Sequence, residues 1–419
     1  MTLDLRSLGL FRIALGTAIL VDLIDRLRSF SLFTQDAPAP AVAAFFALHA
    51  LVALAFTVGL RTRLMTAAAL ALAIVLHASA PLVLYAGDGL ERALLVWALF
   101  LPVGARFSVD ARFDRAPGTH RSIASFALVL QLVLLFGAAG VEKLLHSSAW
   151  RGGSALEILL HDDIYVMPLG AALANAVGPD ALRVLTWLAL ACEVGAPLAL
   201  FARRWRVRLF GAAALAYMMI CIWLVLGVGL FPVVSIAGLL ALVPAEAWRT
   251  RPPPLPTPLT RTRADALAVA GALVMAATSA LNAAGISTSP WTPQLVNATG
   301  LAQHWGMFWS PEGLPRGWFH VVGTGTDGAL VDVFTGAPAR DNVEPPPFAT
   351  LVPFRERRVW EATLVETNAA LLPSIGRWAC ARSPVPVTSL TAYYVRPPSE
   401  GPPEGSTVAV IALFRVECP

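Results

Sequence analysis

The chain has 419 residues, of which 57% are hydrophobic and 14% charged, where soluble domains carry roughly a quarter charged residues. Its apolar residues gather in blocks long enough to cross a bilayer core, which excludes a secreted disulfide scaffold, a disordered chain and a nucleic-acid binder. The formal net charge is +4, and every one of the 31 basic residues except Lys143 is arginine.

In chain order, the apolar blocks span residues 8–24, 41–60, 65–84, 90–103, 122–145, 181–201, 209–227, 229–243 and 264–284. Nine crossings are expected, the first as an uncleaved helix because no small-residue cleavage site follows it. The break between the seventh and eighth blocks is the narrowest, resting on Gly227, Gly229 and Pro232. Arginine sets the orientation. Arg61 and Arg63, then Arg106, Arg112, Arg115 and Arg121, then Arg203, Arg204, Arg206 and Arg208, then Arg249, Arg251, Arg261 and Arg263 fill every second connection. The intervening connections carry Asp88, Glu91, Glu157, Asp162, Asp163 and Asp180, with Arg26 and Arg28 as dissenters. The expectation is a bacterial inner-membrane protein with a cytoplasmic N-terminus and a periplasmic C-terminal segment. The proline-rich stretch 252–258 reads as an extended cytoplasmic loop.

From residue 286 the composition changes. Residues 317–323 and 329–334 alternate around Asp327 and Gly328, a hairpin signal. Residues 358–382 have helical spacing, and 390–395 and 407–416 read as strands. The fold class expected is therefore a mainly α, polytopic helical bundle (1–285) with a small C-terminal α+β extramembrane domain (286–419). Cys380 and Cys418 both fall in that domain, where an oxidising compartment would let them pair; two free buried thiols are the alternative. His49, His77 and His120 are too scattered to form a metal site, and no metal is expected.

Ionisable groups at membrane depth are costly and face a bundle interior or a cavity. Arg12, Glu142, Lys143 and Glu193 stand in the apolar blocks. Lys143 is open to two readings: a snorkelling side chain with its ammonium among the headgroups, or a desolvated amine able to give up its proton, which a guanidinium cannot do. Glu142, one residue away, points in a different direction. Glu193 precedes Pro197, which frees the carbonyl of residue 193; this suggests a cavity, and the alternative is an ion pair with Arg12 or another arginine. Arg12 and Asp22 read as architectural.

Leu10, Phe11 and Arg12 with Gly16 and Asp22, then Gly59, Arg61 and Arg63, then the run from Pro81 to Asp88, then Phe107, Ser108 and Asp110, resemble the horizontally transferred transmembrane domain family. That family includes the vitamin K-dependent gamma-carboxylases. The stretch from Gln131 through Gly140, Glu142 and Lys143 to Trp150, Arg151 and Gly152 carries most of the resemblance, and Gln303, His304, Trp305 and Phe308 resemble the tail of bacterial members.

The resemblance implies that Lys143 is the base that deprotonates a reduced quinone, either vitamin K hydroquinone or menaquinol. Glu193 and Asp88 would share the catalytic site, and Arg12, Gln131 and Trp150 would hold the cofactor. The quinone anion would react with O2, and the strong base so formed would allow CO2 to add to a substrate glutamate. Asp88 stands where the carboxylases place a histidine, and the tail is too short for their substrate-holding module. Two readings follow: a quinone-dependent carboxylase-like enzyme, or a non-catalytic scaffold or lipid- or quinone-binding protein. In the second, the outer domain meets a periplasmic protein or peptide, and Trp305, Phe308 and Trp309 form an interfacial anchor. Convergence of Lys143, Glu193 and Asp88 on one lipid-open cavity favours chemistry; separate pairing favours the scaffold.

Overall fold

The computed structural model describes residues 1–33, 37–112, 118–248, 265–308, 310–313, 317–339, 348–396 and 409–418. Arg115, Arg249, Arg251, Arg261, Arg263, the proline-rich stretch 252–258 and Trp309 lie outside the described residues.

Strand β1 (Thr2–Asp4) leads into α1 (Leu5–Arg28), where the Asp4 carboxylate caps the helix by accepting from the Arg6 amide at 2.8 Å. Helices α2 (Ala39–Val58), α3 (Thr62–Ser79) and α4 (Ala86–Phe100) follow. Strand β2 (Thr119–Arg121) then pairs antiparallel with β1 and delivers α5 (Ile123–His146), capped by the Ser122 hydroxyl. Three short helices were not expected: α6 (Ser148–Gly152), α7 (Ala155–Leu160) and α8 (Pro168–Ala176). Helices α9 (Pro179–Ala199), α10 (Trp205–Val225), α11 (Phe231–Leu240), α12 (Asp265–Ala283) and the single turn α13 (Gln294–Ala298) complete this part.

Each of the nine apolar blocks forms a helix, but seven of them, α1, α2, α3, α5, α9, α10 and α12, are long and apolar enough to cross a membrane. Helices α4, with 15 residues, and α11, with 10, are shorter. Both are interior: α11 packs against α1, α4 and α10, and most of α4 is buried. A helix enclosed by others does not have to match the bilayer by itself, and ten apolar residues suit a core helix. The break at Gly227–Gly229 is real, and Gly229 takes a left-handed φ of 65° where the chain turns into α11. The long helices carry the reverse pattern, exposing Leu48, Leu51 and Leu54 on α2, Phe210, Tyr217 and Trp223 on α10, and Leu267 and Leu273 on α12. Apolar side chains on both the inner and outer faces are what a bilayer-spanning bundle requires.

At one end of the bundle lie β1, β2, the turn after α2 and the segment after α4; the Asp110 carboxylate accepts there from the amides of Arg61 (2.9 Å) and Thr62 (2.7 Å). At the other end sits the C-terminal body. It comprises β3 (Trp318–Gly325), β4 (Leu330–Asp332), α14 (Phe348–Leu351), α15 (Phe354–Ala362), α16 (Leu372–Arg382), β5 (Val387–Arg396) and β6 (Ala409–Glu417). The sheet is antiparallel in the order β4-β3-β5-β6, with Gly323 opposite Leu390 and Leu390 opposite Val416.

The hairpin at Asp327–Gly328 is present, with Gly328 at φ 83° as such a turn demands. Strand β4 is shorter than expected because the Asp332 carboxylate accepts from the amides of Phe334 and Thr335 and turns the chain away. The single helix expected over 358–382 is two helices separated by a 3-10 turn at Glu366–Leu371, with Pro373 entering at the start of α16, where its missing N–H costs nothing. Phe319 anchors the core, its ring 5.4 Å from Phe348, 6.0 Å from Trp360 and 5.2 Å from Tyr394. Cys380 and Cys418 are bonded, with Cα atoms 5.6 Å apart, so α16 is tied to the end of β6.

Candidate functional site

Lys143 lies in the last turn of α5 with its ammonium 2.6 Å from both carboxylate oxygens of Glu193 on α9. The two helices approach closely because Gly140 has no side chain: a Cβ there would stand 3.0 Å from the Glu193 carbonyl carbon. The indole ring of Trp150 on α6 covers the ammonium, with Nζ 4.7 Å from the ring centroid. Lys143, Glu193 and Trp150 thus meet as one buried cluster. Lys143 does not snorkel, and the partner of Glu193 is Lys143, not an arginine.

Asp88 belongs to a different cluster. Arg26 of α1 donates to Asp22 (2.6 Å) and Asp88 (2.7 Å), while Arg355 of α15 donates to both oxygens of Asp88 (2.9 and 3.1 Å), to Asp22 and to the Val83 carbonyl (3.0 Å). His77 lies 3.5 Å from Asp88 and 3.2 Å from Arg92. Two carboxylates are therefore bridged by two guanidiniums, one from the bundle and one from the C-terminal body. Burial opposes the charge on Arg355, but Asp22 and Asp88 hold its pKa well above the ordinary arginine value. The expected convergence of Asp88 with Lys143 and Glu193 is thus corrected: the space around Asp88 is filled by the arginines that neutralise it. Asp22, His77 and Asp88 do place ligand-type atoms within 4.8 Å of one another, yet those carboxylate oxygens already serve Arg26 and Arg355. The same pairing explains the dissenting Arg26, which is a buried ion-pair partner and not a loop charge.

Two of the residues expected to hold a cofactor are also elsewhere. Arg12 sits at the opposite end of α1, donating to the carbonyls of Thr57 (3.3 Å), Val103 (2.9 Å), Arg106 (3.3 Å) and Phe107. These bonds tie α1 to the end of α2 and to the segment after α4, away from Lys143. Gln131 forms a reciprocal pair with Gln303 (2.7 and 3.1 Å), and Gln303 also receives the Trp305 indole N–H. Trp305 is consequently a buried part of the bundle and not an interfacial anchor. Trp150 alone of the three contacts the lysine.

The cavities lie where the bundle meets the C-terminal body. The larger, about 710 Å³, has mixed walls, with Leu82, Leu84, Ile164, Leu364 and Leu413 on the apolar side and Asp162, Arg358, Glu361, Glu366, Asn368 and Arg396 among its polar groups. The smaller, about 370 Å³, is lined by Tyr85, Tyr165, Trp305, Phe308, Phe354 and His304 among others. Tyr165 and Arg358 line both, so the two adjoin. Neither is lined by Lys143, Glu193 or Asp88. Pro197 lines neither of these cavities: it falls in the last turn of α9, and Gly140 brings α5 against Glu193.

The smaller cavity still approaches the lysine. The Trp150 indole donates to the Phe308 carbonyl at 2.7 Å, and Phe308 packs edge-on to Tyr165 at 5.3 Å. His304 Nε2 lies 3.5 Å from Glu142, whose hydrogen bond raises the histidine pKa. Burial pushes Asp162 up to about 6, against the amides of Ile164 and Tyr165 that favour its charge, and burial followed by Glu361 raises the Tyr165 phenol. Sequence reasoning missed Arg355, Tyr165 and the role of His304. Arg355 opens a charged run with Glu356, Arg357 and Arg358 that reads as a solvated surface.

Comparison with protein-family models, with curated proteins and with solved structures finds no match to this chain.

Proposed function

We propose that this chain is a multi-pass membrane protein that binds a lipid-soluble, quinone- or lipid-sized molecule where its helical bundle meets its C-terminal domain. The observation that carries this reading is the pair of adjoining cavities at that junction, about 710 and 370 Å³, the smaller with mainly aromatic and apolar walls and the larger with mixed polar and apolar walls. Sites for small ligands have this size and make-up. Lys143 and Glu193, and Asp22, Asp88, Arg26 and Arg355, by contrast, are paired within their own clusters. Nine crossings, a cytoplasmic N-terminus and a periplasmic C-terminal domain are part of the proposal. The Cys380–Cys418 bond supports that orientation, since disulfides persist in oxidising compartments.

A second reading, carboxylase-like chemistry as the family resemblance implies, is favoured by the Lys143–Glu193 pair. The lone lysine of the chain is kept dry and within one residue layer of the smaller cavity. For Lys143 to act as a base, its proton would first have to pass to Glu193.

The test supplies the purified protein in lipid nanodiscs with long-chain menaquinone and measures saturable binding above empty nanodiscs. In parallel, labelled CO2, menaquinol, O2 and a glutamate-containing peptide are supplied. Saturable binding without incorporation is the expected result. Incorporation that disappears in Lys143→Ala and in Lys143→Arg would establish the second reading; the absence of any saturable binding would overturn the first.

A further inference from the structure

Resting on the binding reading above, we infer that the larger cavity receives the head group of a phospholipid carrying a primary ammonium, of the phosphatidylethanolamine class. The ammonium meets Asp162 and Glu361, the phosphate meets Arg396, and the acyl chains stay outside in the bilayer.

The acids are the first argument. Asp162 lies in the turn between α7 and α8, where its Oδ1 accepts from the amides of Ile164 (2.9 Å) and Tyr165 (3.2 Å). That turn fixes Oδ2 as well, and no hydrogen bond among the described residues reaches it. Glu361 of α15 gives Oε2 to Arg358 beside the Tyr165 phenol, while its Oε1 is buried with no hydrogen-bond partner. Both residues line the cavity, and Glu361 is close enough to act on the Asp162 carboxyl. Two unmet oxygens in one wall call for a donor. An ammonium brings three donors on one atom. Burial keeps Asp162 protonated up to about pH 6, and a cation against it reverses that preference. A metal ion asks for more oxygens than this pair supplies. Among the described residues no third His, Cys or acid completes a metal-binding group with them.

The base is the second argument. Arg396, the last residue of β5, lines the same cavity, is exposed at its mouth and has no acidic partner among the described residues. Tyr394, on the same face of β5, lies within the field of both Asp162 and Arg396. The acids thus stand deep and the free guanidinium stands outside them. An ethanolamine head entering tip first meets them in that order, ammonium before phosphate.

The rim is the third. Val365 and Ile411 line the cavity and are exposed. So are Leu371, at the far end of the 3-10 turn that Val365 opens, and Val410, beside Ile411 on β6. Across the cavity stand Pro81, Leu82 and Leu84, where α3 gives way to α4 in the bundle. An apolar rim on a domain beyond the bundle, continuous with the bundle's own end, suits acyl chains. A soluble zwitterion would gain nothing from it.

The experiment titrates the intact, delipidated protein in detergent micelles with dioleoyl-phosphatidylethanolamine or dioleoyl-phosphatidylcholine. Native mass spectrometry gives the dissociation constant of the first bound lipid. The ethanolamine lipid should bind roughly tenfold more tightly, because trimethylation removes all three donors and keeps the charge, the phosphate and the chains. Asp162→Asn keeps an acceptor for the two amides and turns a second donor into the cavity. It should bring the ethanolamine lipid down to the affinity of the choline lipid, with a thermal midpoint no lower than that of the wild type. Glu361→Gln should weaken the ethanolamine lipid roughly threefold and leave the choline lipid within about twofold, whereas Arg396→Ala should weaken both alike. Equal affinity for the two lipids, or a preference that survives both Asp162→Asn and Glu361→Gln, would overturn the head-group assignment and leave the junction reading standing. Competition by water-soluble phosphoethanolamine would give the site to a soluble ligand and overturn the lipid. No saturable binding of either phospholipid would overturn this assignment alone if menaquinone still binds, and both readings if it does not.

Discussion

Removing the lysine from the Lys143–Glu193 pair should be far more damaging than removing the pair. Both carboxylate oxygens of Glu193 receive the same ammonium at 2.6 Å, and both side chains are buried. Lys143→Met keeps the aliphatic stem but strands the carboxylate, and a buried charge left without its partner costs about 3–5 kcal/mol. The contact of Nζ with the Trp150 ring, at 4.7 Å, adds about 1 kcal/mol to that loss. Glu193→Leu strands the ammonium, with a similar cost. In the double variant no charge is left to desolvate, and replacing a buried pair by apolar groups is neutral or stabilising by about 1–4 kcal/mol. The double variant should therefore unfold at or above the wild-type point although each single variant falls well below it. The assay is a double-mutant cycle by SDS titration in mixed micelles, followed by tryptophan fluorescence, which Trp150 reports locally. A Lys143→Met variant that loses less than about 1 kcal/mol, or a double variant that loses the sum of the two singles, would refute the premise that the pair is sequestered from water.

Further outcomes are expected at the domain junction. Arg355→Met leaves Asp22 and Asp88 with Arg26 as their remaining guanidinium, and a loss of about 3–5 kcal/mol should appear as faster hydrogen exchange in α15 and at the start of α4; unchanged exchange would show that the domain is held by other contacts. Replacing Cys380 and Cys418 together by serine opens a loop with a sequence separation of 38 and should lower stability by about 4 kcal/mol on chain-entropy grounds, read as a lower thermal midpoint that dithiothreitol no longer shifts. The folded Asp162 carboxyl keeps its proton up to about pH 6, whereas the ordinary value is 3.8. Folding therefore takes up a proton between those values, so this group makes stability fall as pH rises through that window, and Asp162→Asn should remove its share of the slope in thermal midpoints measured from pH 3.5 to 7.

Much of the bundle was legible because bilayer-length apolar blocks leave few alternatives. Residues 122–145 and 181–201 could hardly become anything but α5 and α9. The hairpin at Asp327–Gly328 and the two strands between Cys380 and Cys418 were legible for a similar reason: alternation and turn chemistry are local. The lengths of α4 and α11 were not, since a helix may stop short of bilayer length only when others enclose it, and enclosure is a tertiary fact. The split at Glu366–Leu371 was hidden by the apolar spacing that runs through it, although Pro373 marks where the second helix starts. At the site, burial of Lys143 and Glu193 followed from their blocks, but their pairing depended on the register of α5 against α9, which Gly140 sets. Asp88 was misassigned because its partner, Arg355, lies 267 residues away in a run of charges. A charged run on a helix ordinarily faces water, and nothing local distinguishes Arg355 from Arg358.

The two buried clusters also explain why one holds the lysine and the other only arginines. Asp22 and Asp88 stand on different helices, and the cation between them must serve several oxygens at once. Arg355 meets both carboxylates and the Val83 carbonyl with a planar fork, while its face lies on Tyr85. An ammonium has three donors on one atom and cannot span that distance. At Lys143 the demand is opposite: one carboxylate, met symmetrically, beneath one ring, in a gap narrowed by Gly140. A guanidinium needs a wider slot in the α5–α9 contact, and overpacking of that kind costs about 1–3 kcal/mol. Genome-wide preference for arginine can empty the rest of the chain of lysine, but geometry is a sufficient reason for the exception. Lys143→Arg therefore separates the two readings of the lysine: a lower unfolding midpoint that Gly140 variants deepen marks a packing requirement, while loss of turnover with an unchanged midpoint marks a requirement for a proton that can leave.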